Sequence, residues 1–211
     1  SGSDGTFTKV SSGGTSTWNP EVEDSITCET FAGSALAVNG TNMLYAWNHT
    51  GDWSYITTAP TAAQCIKAFT NSLFLANVQN AAGTLFGSRV YWSSAGDPTT
   101  WPASNFIDLD PDDGDEIVAM EVTGNELIVF KERKIYAISY VGGKLSFIGE
   151  IRLDGIGCVS TGGVTNRYGD LVFCSNESIF SFDGRNLTEL STKIKDIYLN
   201  INPDKKVNIQ A

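Results

Sequence analysis

Histidine is almost missing from the sequence, and this scarcity limits the enzymatic mechanisms open to the protein. Ser-His-Asp and Cys-His catalysis both place a histidine beside the nucleophile. The single histidine, His49, lies in the turn-like run 48–52, and no Gly-x-Ser-x-Gly motif accompanies it. We therefore interpret His49 as a turn residue and predict that the protein has no catalytic residues and is not an enzyme.

Cysteine pairs of the metal-binding kind are also missing. Cys28, Cys65, Cys158 and Cys174 are 37, 93 and 16 positions apart, and no Cys-x-x-Cys pair occurs. Zinc sites normally need such pairs or nearby histidines. We predict small buried thiols rather than metal ligands, and no cofactor.

Basic residues and long apolar runs are scarce as well. Fourteen Lys and Arg stand against 24 Asp and Glu, which gives a formal net charge of −10. Binding to phosphates needs clustered cations, so we predict no sequence-specific nucleic-acid binding. No apolar run approaches the roughly 18 residues of a membrane-spanning helix, and no signal-peptide pattern opens the chain. The chain begins Ser-Gly-Ser rather than with Met, which is consistent with an excised segment.

The residues that are abundant favour an all-β protein. The chain has 21 glycines, 11% aromatic residues and only 18% charged residues. This composition is typical of many short strands joined by tight turns. At 211 residues, one all-β domain is expected.

An internal repeat of about 45 residues is the strongest signal in the sequence. Four segments share an apolar-aromatic pattern whose central aromatic residues are 46, 45 and 44 positions apart; these are Tyr45, Tyr91, Tyr136 and Phe180. A second apolar run and a polar turn precede each segment, which is a hairpin pattern. Further strand candidates lie on both sides of each hairpin; those upstream are Ile26–Phe31, Cys65–Phe69, Ile117–Val122 and Cys158–Val164.

Four strands in each repeat of this length predict a β-propeller. The predicted four-stranded blades cover about residues 21–60, 61–112, 113–155 and 156–200. A β-sandwich is the alternative, but it does not explain the period. Residues 4–11 echo 183–191, so we predict that 1–20 holds a strand of a preceding blade and that 201–211 starts a following element. The chain would then be a fragment of a larger ring.

An acidic stretch from Asp108 to Glu116 invites a metal hypothesis. Asp108, Asp110 and Asp112 alternate as the oxygen ligands of a hard cation do. However, the sixth and twelfth positions are Asp113 and Ala119, where a helix-flanked calcium loop needs Gly and Glu. We therefore interpret the stretch as a solvated connector between the second and third blades, with no metal.

Tryptophans of the first two repeats are the candidate ligand- or partner-binding residues. Exposed indoles would stack on sugars or anchor a protein partner, whereas buried ones would belong to the core between blades. The candidates are Trp47, Trp53, Trp92 and Trp101. In the run 94–101 we interpret Asp97-Pro98 as the start of a turn on which Trp101 packs. The acidic residues lie in no motif that marks the paired carboxylates of a glycoside hydrolase.

A family resemblance rests on three runs: Arg89-Val90-Tyr91-Trp92-Ser93 with Gly96-Asp97-Pro98-Thr99-Thr100-Trp101, then 114–119, then 127–136. These runs resemble the propeller domains of tailed-bacteriophage virion proteins, namely tail-nozzle proteins and tail proteins that stabilise packaged DNA. The resemblance covers about residues 87–182.

The resemblance implies a non-enzymatic virion component. Such a protein would form a homo-oligomeric ring with other virion proteins in the tail or head-tail connector, and would retain or conduct packaged DNA. A carbohydrate- or receptor-binding propeller is the second interpretation, and a glycoside hydrolase is the third.

Overall fold

The computed structural model describes residues 26–50, 53–143, 146–206 and 208–209. Within them, sixteen strands form four antiparallel sheets of four strands, each in simple sequence order. The first two sheets contain β1 Thr27–Phe31, β2 Ser34–Val38, β3 Tyr45–Trp47 and β4 Ser54–Tyr55, followed by β5 Ala62–Phe69, β6 Ser72–Gln79, β7 Leu85–Trp92 and β8 Phe106–Asp108. The last two contain β9 Ile117–Thr123, β10 Glu126–Lys131, β11 Lys134–Gly142 and β12 Ser146–Asp154, followed by β13 Val164–Arg167, β14 Asp170–Cys174, β15 Ile179–Phe182 and β16 Leu187–Glu189.

Three short helical segments follow the last sheet. They are a 3-10 helix at Thr192–Ile194, α1 at Lys195–Leu199 and α2 at Pro203–Lys206. Within the described ranges, no helix has the length and apolar character needed to cross a membrane.

The apolar residues form three clusters, each between successive sheets. Strand β10 shows why: Leu127 and Val129 pack towards the second sheet, whereas Ile128 and Phe130 pack towards the fourth. Side chains alternate between the two faces of a strand, so a strand buried on both faces needs a continuous apolar run. Such runs in β6 and β10 identify the central strands of the blades.

The sheets are arranged as the blades of a propeller. The first strands of successive sheets contact one another, β1 with β5, β5 with β9 and β9 with β13. Face-to-face packing of four-stranded sheets around adjoining first strands is the propeller arrangement. The predicted fold class, an all-β propeller with four four-stranded blades, is confirmed. Residues 1–20, for which an additional strand was predicted, lie outside the described part of the chain.

One strand prediction, Cys158–Val164, was wrong. The first strand of the fourth sheet begins only at Val164. The amide of Cys158 donates to the Lys131 carbonyl (2.9 Å), that of Val159 donates to the Cys174 carbonyl (3.0 Å), and Gly163 closes a turn onto Ser160. This segment is therefore buried because it crosses from the third sheet to the fourth, and not because it pairs as a strand. Among the cysteines, Cys65, Cys158 and Cys174 are buried as predicted, whereas Cys28 is exposed.

Candidate functional site

Lys131 is the least expected feature of the structure, because its side chain is completely buried. It ends β10, where the pairing with β9 shifts by one residue. Lysine is almost never fully buried unless its charge is compensated. The surroundings of its ammonium group therefore define the first candidate site.

Four oxygens surround the Lys131 ammonium, and we call this group the Lys131 cage. Nζ lies 2.7 Å from Asp113 Oδ1, 2.9 Å from the Leu109 carbonyl, 3.1 Å from Ser88 Oγ and 3.2 Å from the Asp110 carbonyl. All of these oxygens come from the second sheet or from the connector that follows it. The cage therefore ties β10 of the third sheet to the preceding blade by one internal cation.

Asp115 forms a second tie between the connector and the same hairpin. Its buried carboxylate accepts hydrogen bonds from the backbone amides of Glu132 (3.0 Å) and Arg133 (3.1 Å). Ser88 Oγ donates to the Asp115 carbonyl (3.1 Å). A buried carboxylate that receives two amide donors satisfies both its own charge and the donors of the turn. The connector therefore fixes the turn between β10 and β11 through these hydrogen bonds.

Carboxylates at the rim of the cage are ionised by their neighbours. Burial alone would raise the pKa of Asp113, but hydrogen bonds from Lys131 and Lys134 outweigh it and hold that pKa well below its usual value. Hydrogen bonds from Tyr136 and Lys134 lower the pKa of Asp110. Lys134 Nζ bridges the two carboxylates at 3.0 and 2.9 Å. The result is a network of alternating charges rather than a free acidic patch.

Asp108 is paired at the other end of the connector. It receives two hydrogen bonds of 2.6 Å from the Arg89 guanidinium. This guanidinium also lies 4.2 Å from the ring centre of Phe86 and 4.0 Å from that of Phe106. Stacking on rings and two-point pairing are the arrangement in which arginine is most strongly held. The hydrogen bonds that Arg89 donates to Asp108 are the main reason why the pKa of Arg89 is raised.

The acidic residues that were weighed as metal ligands and set aside in the sequence are placed as follows. Asp108 pairs with Arg89, Asp110 pairs with Lys134 and Tyr136, and Asp112 is exposed. In the ranges that the structure describes, no group of three or more His, Cys, Asp or Glu side chains is placed to hold a metal ion. The interpretation of the stretch as a merely solvated connector also needs correction, because Asp113 and Asp115 anchor it to the next blade.

The four candidate tryptophans do not form one platform. Trp47 and Trp53 stack on each other, with ring centres 6.2 Å apart and planes 22° apart. Trp92 is 6% exposed and packs in the core between the second and third sheets. Trp101 packs against the core between the first and second sheets, and its Nε1 donates to the Pro98 carbonyl (2.8 Å). Only the Trp47–Trp53 pair remains as a candidate stacking surface.

The loop that contains Trp101 is built as the sequence predicts. Asp97 accepts hydrogen bonds from the Thr99 amide (2.8 Å) and from the Thr99 and Thr100 hydroxyls (2.6 and 2.7 Å). These bonds lower the pKa of Asp97, and the two hydroxyl bonds contribute more than the bond from the Thr99 amide. Asp97 therefore starts a turn that positions Trp101.

A cavity of about 380 Å³ opens between β7 and the connector. Its lining combines apolar and charged side chains: Leu85, Phe86, Arg89, Asp108, Pro111 and Glu116. Sequence reasoning missed this cavity, and it missed the roles of Lys131 and Asp115. The only available signal was the lysine that directly follows the apolar run of β10, and a lysine at a strand end is ordinarily exposed.

The carboxylates of the cage predict how stability depends on pH. The pKa values of Asp110 and Asp113 lie below their ordinary 3.8 in the folded protein. Their stabilisation is therefore complete above about pH 4 and is lost as the pH falls through the folded-state pKa values. Urea unfolding followed by tryptophan fluorescence should give a constant free energy of unfolding between pH 7 and 5 and a decline below pH 4.

Two variants test whether the cage causes this decline. Asp113→Asn should make the acid decline shallower, because one depressed pKa is removed. Asp112→Asn is the control, since Asp112 makes no ion pair with any described residue. Equal slopes for Asp113→Asn and the wild type would contradict the assignment.

The fold and these contacts define a β-propeller unit in which the acidic connector between the second and third sheets is internally paired. Comparisons with known proteins add the following likenesses. No protein-family model and no curated protein matches the chain. Among solved structures, the computationally designed Ika4 protein is 8% identical with a TM-score of 0.47, and covers 80% of this chain and 92% of its own. A putative exported protein from Bacteroides fragilis is 10% identical with a TM-score of 0.45, over 77% of this chain and 49% of its own. The N-terminal domain of Nup159 is 12% identical with a TM-score of 0.40, over 82% of this chain and 53% of its own.

Proposed function

We propose that this protein is a non-enzymatic structural component of a bacteriophage virion. Its copies form a ring in the tail or head-tail connector that retains or conducts packaged DNA. The proposal starts from the family resemblance of residues 87–182, and its partners are further copies of the chain and other virion proteins.

One observation carries the proposal: the residues that bear the resemblance have structural roles. Arg89 pairs with Asp108, Asp97 builds its turn, and Lys131 fills the cage. Each uses its polar atoms on contacts within or between blades. Polar side chains that are all engaged in internal contacts favour a structural protein over one that binds a substrate, because a substrate site needs polar atoms that remain open.

The charge of the chain supports the conducting role. A net charge of −10 repels a polymer of phosphates, so DNA would pass a wall of this kind without binding to it. The Lys131 ammonium cannot serve as a phosphate contact, because it is buried and already surrounded by oxygens.

Composition of purified particles tests the proposal. Quantitative mass spectrometry of the phage whose genome encodes this sequence should find its peptides at a fixed copy number, far below that of the major capsid subunit. Cryo-electron microscopy of the same particles should place the propeller density at the tail or the connector. Peptides that occur in the lysate but never in washed particles would overturn the assignment.

A receptor- or carbohydrate-binding propeller is the second candidate, and the Trp47–Trp53 pair favours it. Stacked indoles near a surface are suited to sugar rings. Glycan-array binding that is lost in Trp53→Ala would support this alternative.

A further inference from the structure

The second sheet has a strand edge that is covered over only part of its length. Strand β7 runs over Leu85–Trp92, but β8 pairs with it only from Arg89 to Tyr91. Beyond these pairs the Leu109 amide donates to the Ser88 carbonyl (2.9 Å), and the connector then leaves β7. Among the described residues, no strand therefore pairs with the outer edge of β7 at residues 85–87, which we call the open edge.

The main-chain groups of Leu85 point away from β6 at the open edge. Thr84, the residue before it, donates its amide to Asn80 Oδ1 (2.9 Å), and its carbonyl accepts from the Asn80 amide (3.0 Å), so its groups face the β6 side. The carbonyl of Gln79, which lies opposite Leu85, accepts from Thr61 on the β5 side. Successive residues of a strand direct their amides and carbonyls to opposite edges, so those of Leu85 face outwards.

The Lys131 cage keeps the connector away from the open edge. The Leu109 and Asp110 carbonyls bind the Lys131 ammonium instead of extending the ladder along β7. Pro111 comes next and has no amide hydrogen to offer to a neighbouring strand. Asp115 fixes the far end of the connector on the β10–β11 turn. The edge is thus left open because the segment that could cover it is bound elsewhere.

The open edge also lacks the features that protect strand edges from pairing with other chains. Proteins usually protect such edges with a lysine, a proline or a covering segment. Residues 84–87 are Thr-Leu-Phe-Gly, and the Leu85 side chain is 52% exposed where it lines the cavity beside the connector. The third strand of the next sheet differs, because β12 pairs with β11 from Lys134 to Gly142. An uncovered edge beside a cavity is the arrangement that binds an added strand.

Glu116 sets the charge that an added strand must carry. Its stem lies over Gly87, where a Cβ atom would be 2.7 Å from Glu116 Cγ. Its Oε2 accepts a hydrogen bond from Asn77 Nδ2 (3.0 Å), and it is exposed and forms no ion pair with a described residue. Arg89 and Asp108 in the same cavity lining are paired with each other. A basic side chain is therefore the complement of this edge.

We propose that the open edge binds an extended segment of a partner protein as an added strand in line with β8, with a lysine or arginine of that segment facing Glu116. Main-chain hydrogen bonds to β7 supply the affinity, and an apolar side chain two positions from the basic one contacts Leu85 and Pro111. Pairing with the same edge of a second copy is disfavoured, because it brings two Glu116 carboxylates together. This inference does not depend on the proposed virion function.

The test is an NMR titration of the isotope-labelled full chain with synthetic peptides. In Thr-Lys-Thr-Val-Thr-Lys-Thr the two lysines and the valine share one face of a strand. This peptide should shift the amide signals of residues 85–88 with a Kd of about 0.1–1 mM, a weak affinity suited to so short an edge. The same peptide with glutamate in place of lysine should bind at least tenfold more weakly. A version that is N-methylated at alternate residues, and so lacks the amide hydrogens of one edge, should lose affinity to the same extent.

Variants of the chain locate the binding site. Leu85→Pro removes the outward amide, which the fold does not use, and should lower the affinity at least tenfold. Glu116→Gln should lower it about threefold, as expected for one exposed charge pair. Glu177→Gln is the matched control, because Glu177 is an exposed carboxylate of the fourth blade, and its variant should bind as the wild type does.

Three results would overturn the proposal. The first is that no amide of residues 85–88 shifts at about 1 mM lysine peptide. The second is that the N-methylated peptide binds as well as the unmodified one, since side chains alone would then account for binding. The third is that the free chain shifts at these residues as its own concentration rises, and that Leu85→Pro abolishes this effect, which would make a second copy the occupant.

Discussion

Gly157→Ala should destabilise the protein by about 3 kcal/mol, which is a large effect for one added methyl group. A Cβ atom at this position would lie 2.1 Å from the Lys131 carbonyl oxygen, 2.6 Å from the Glu132 carbonyl carbon and 2.7 Å from the Arg133 amide nitrogen. All three atoms are backbone atoms of the β10–β11 turn, so no side chain can rotate away. Relief of the clash would require the chain to move off the turn that the cage and Asp115 hold.

Movement at Gly157 would also break a contact between blades. The adjacent Cys158 amide donates to the same Lys131 carbonyl. Urea unfolding should therefore show a lower midpoint with an unchanged slope, and thermal unfolding should show a melting temperature lower by roughly 10 °C.

Gly83→Ala is the matched control for this prediction. Gly83 has φ +81, with no atom within 4 Å of an added Cβ, so its substitution has a conformational cost but no clash. We expect a loss of about 1 kcal/mol there. If Gly157→Ala is no more destabilising than Gly83→Ala, the close approach of the connecting segment to the turn is not tight in solution.

The blade pattern could be read from the sequence because it depends on local chemistry. The central aromatics of the four repeats all fall on the third strands of their sheets, as Tyr45 in β3, Tyr91 in β7, Tyr136 in β11 and Phe180 in β15. Alternation of side chains and the turn residues determine such positions, and both are visible within a few residues.

The candidate site could not be read in the same way, because it depends on contacts between distant segments. The Lys131 cage draws on Ser88, 43 positions earlier, and on Asp113, 18 positions earlier. Local sequence presents an acidic run and a lysine at a strand end, each of which is ordinarily solvated. The wrong strand at Cys158–Val164 has the same origin, since its apolar residues are buried by crossing between sheets.

Lys131→Met should be the most destabilising substitution in the connector network, at about 3–5 kcal/mol. Methionine keeps the length and apolar stem of lysine but removes the ammonium. The Leu109 and Asp110 carbonyls and the Asp113 carboxylate would then lose a donor in a place that water does not reach. Buried acceptors without partners cost far more than an exposed ion pair contributes.

Lys67→Met separates the effect of burial from the effect of charge removal. Lys67 also faces two carboxylates, Glu121 at 2.8 Å and Glu29 at 3.6 Å, but its side chain is 24% exposed. Its substitution should cost about 1 kcal/mol or less, because water replaces the lost ammonium.

A double-mutant cycle with Asp113→Asn completes the argument about Lys131. If the cage couples the two charges, the loss in Lys131→Met/Asp113→Asn should be smaller than the sum of the single losses by 1 kcal/mol or more, since each single change strands the other partner. Free energies of unfolding from urea titrations at pH 7 supply all four values of the cycle. Two results together would contradict the cage: the losses of the two single variants add up to the loss of the double variant, and Lys131→Met loses no more stability than Lys67→Met. The ammonium would then be hydrated in solution, and apolar packing alone would join the two blades.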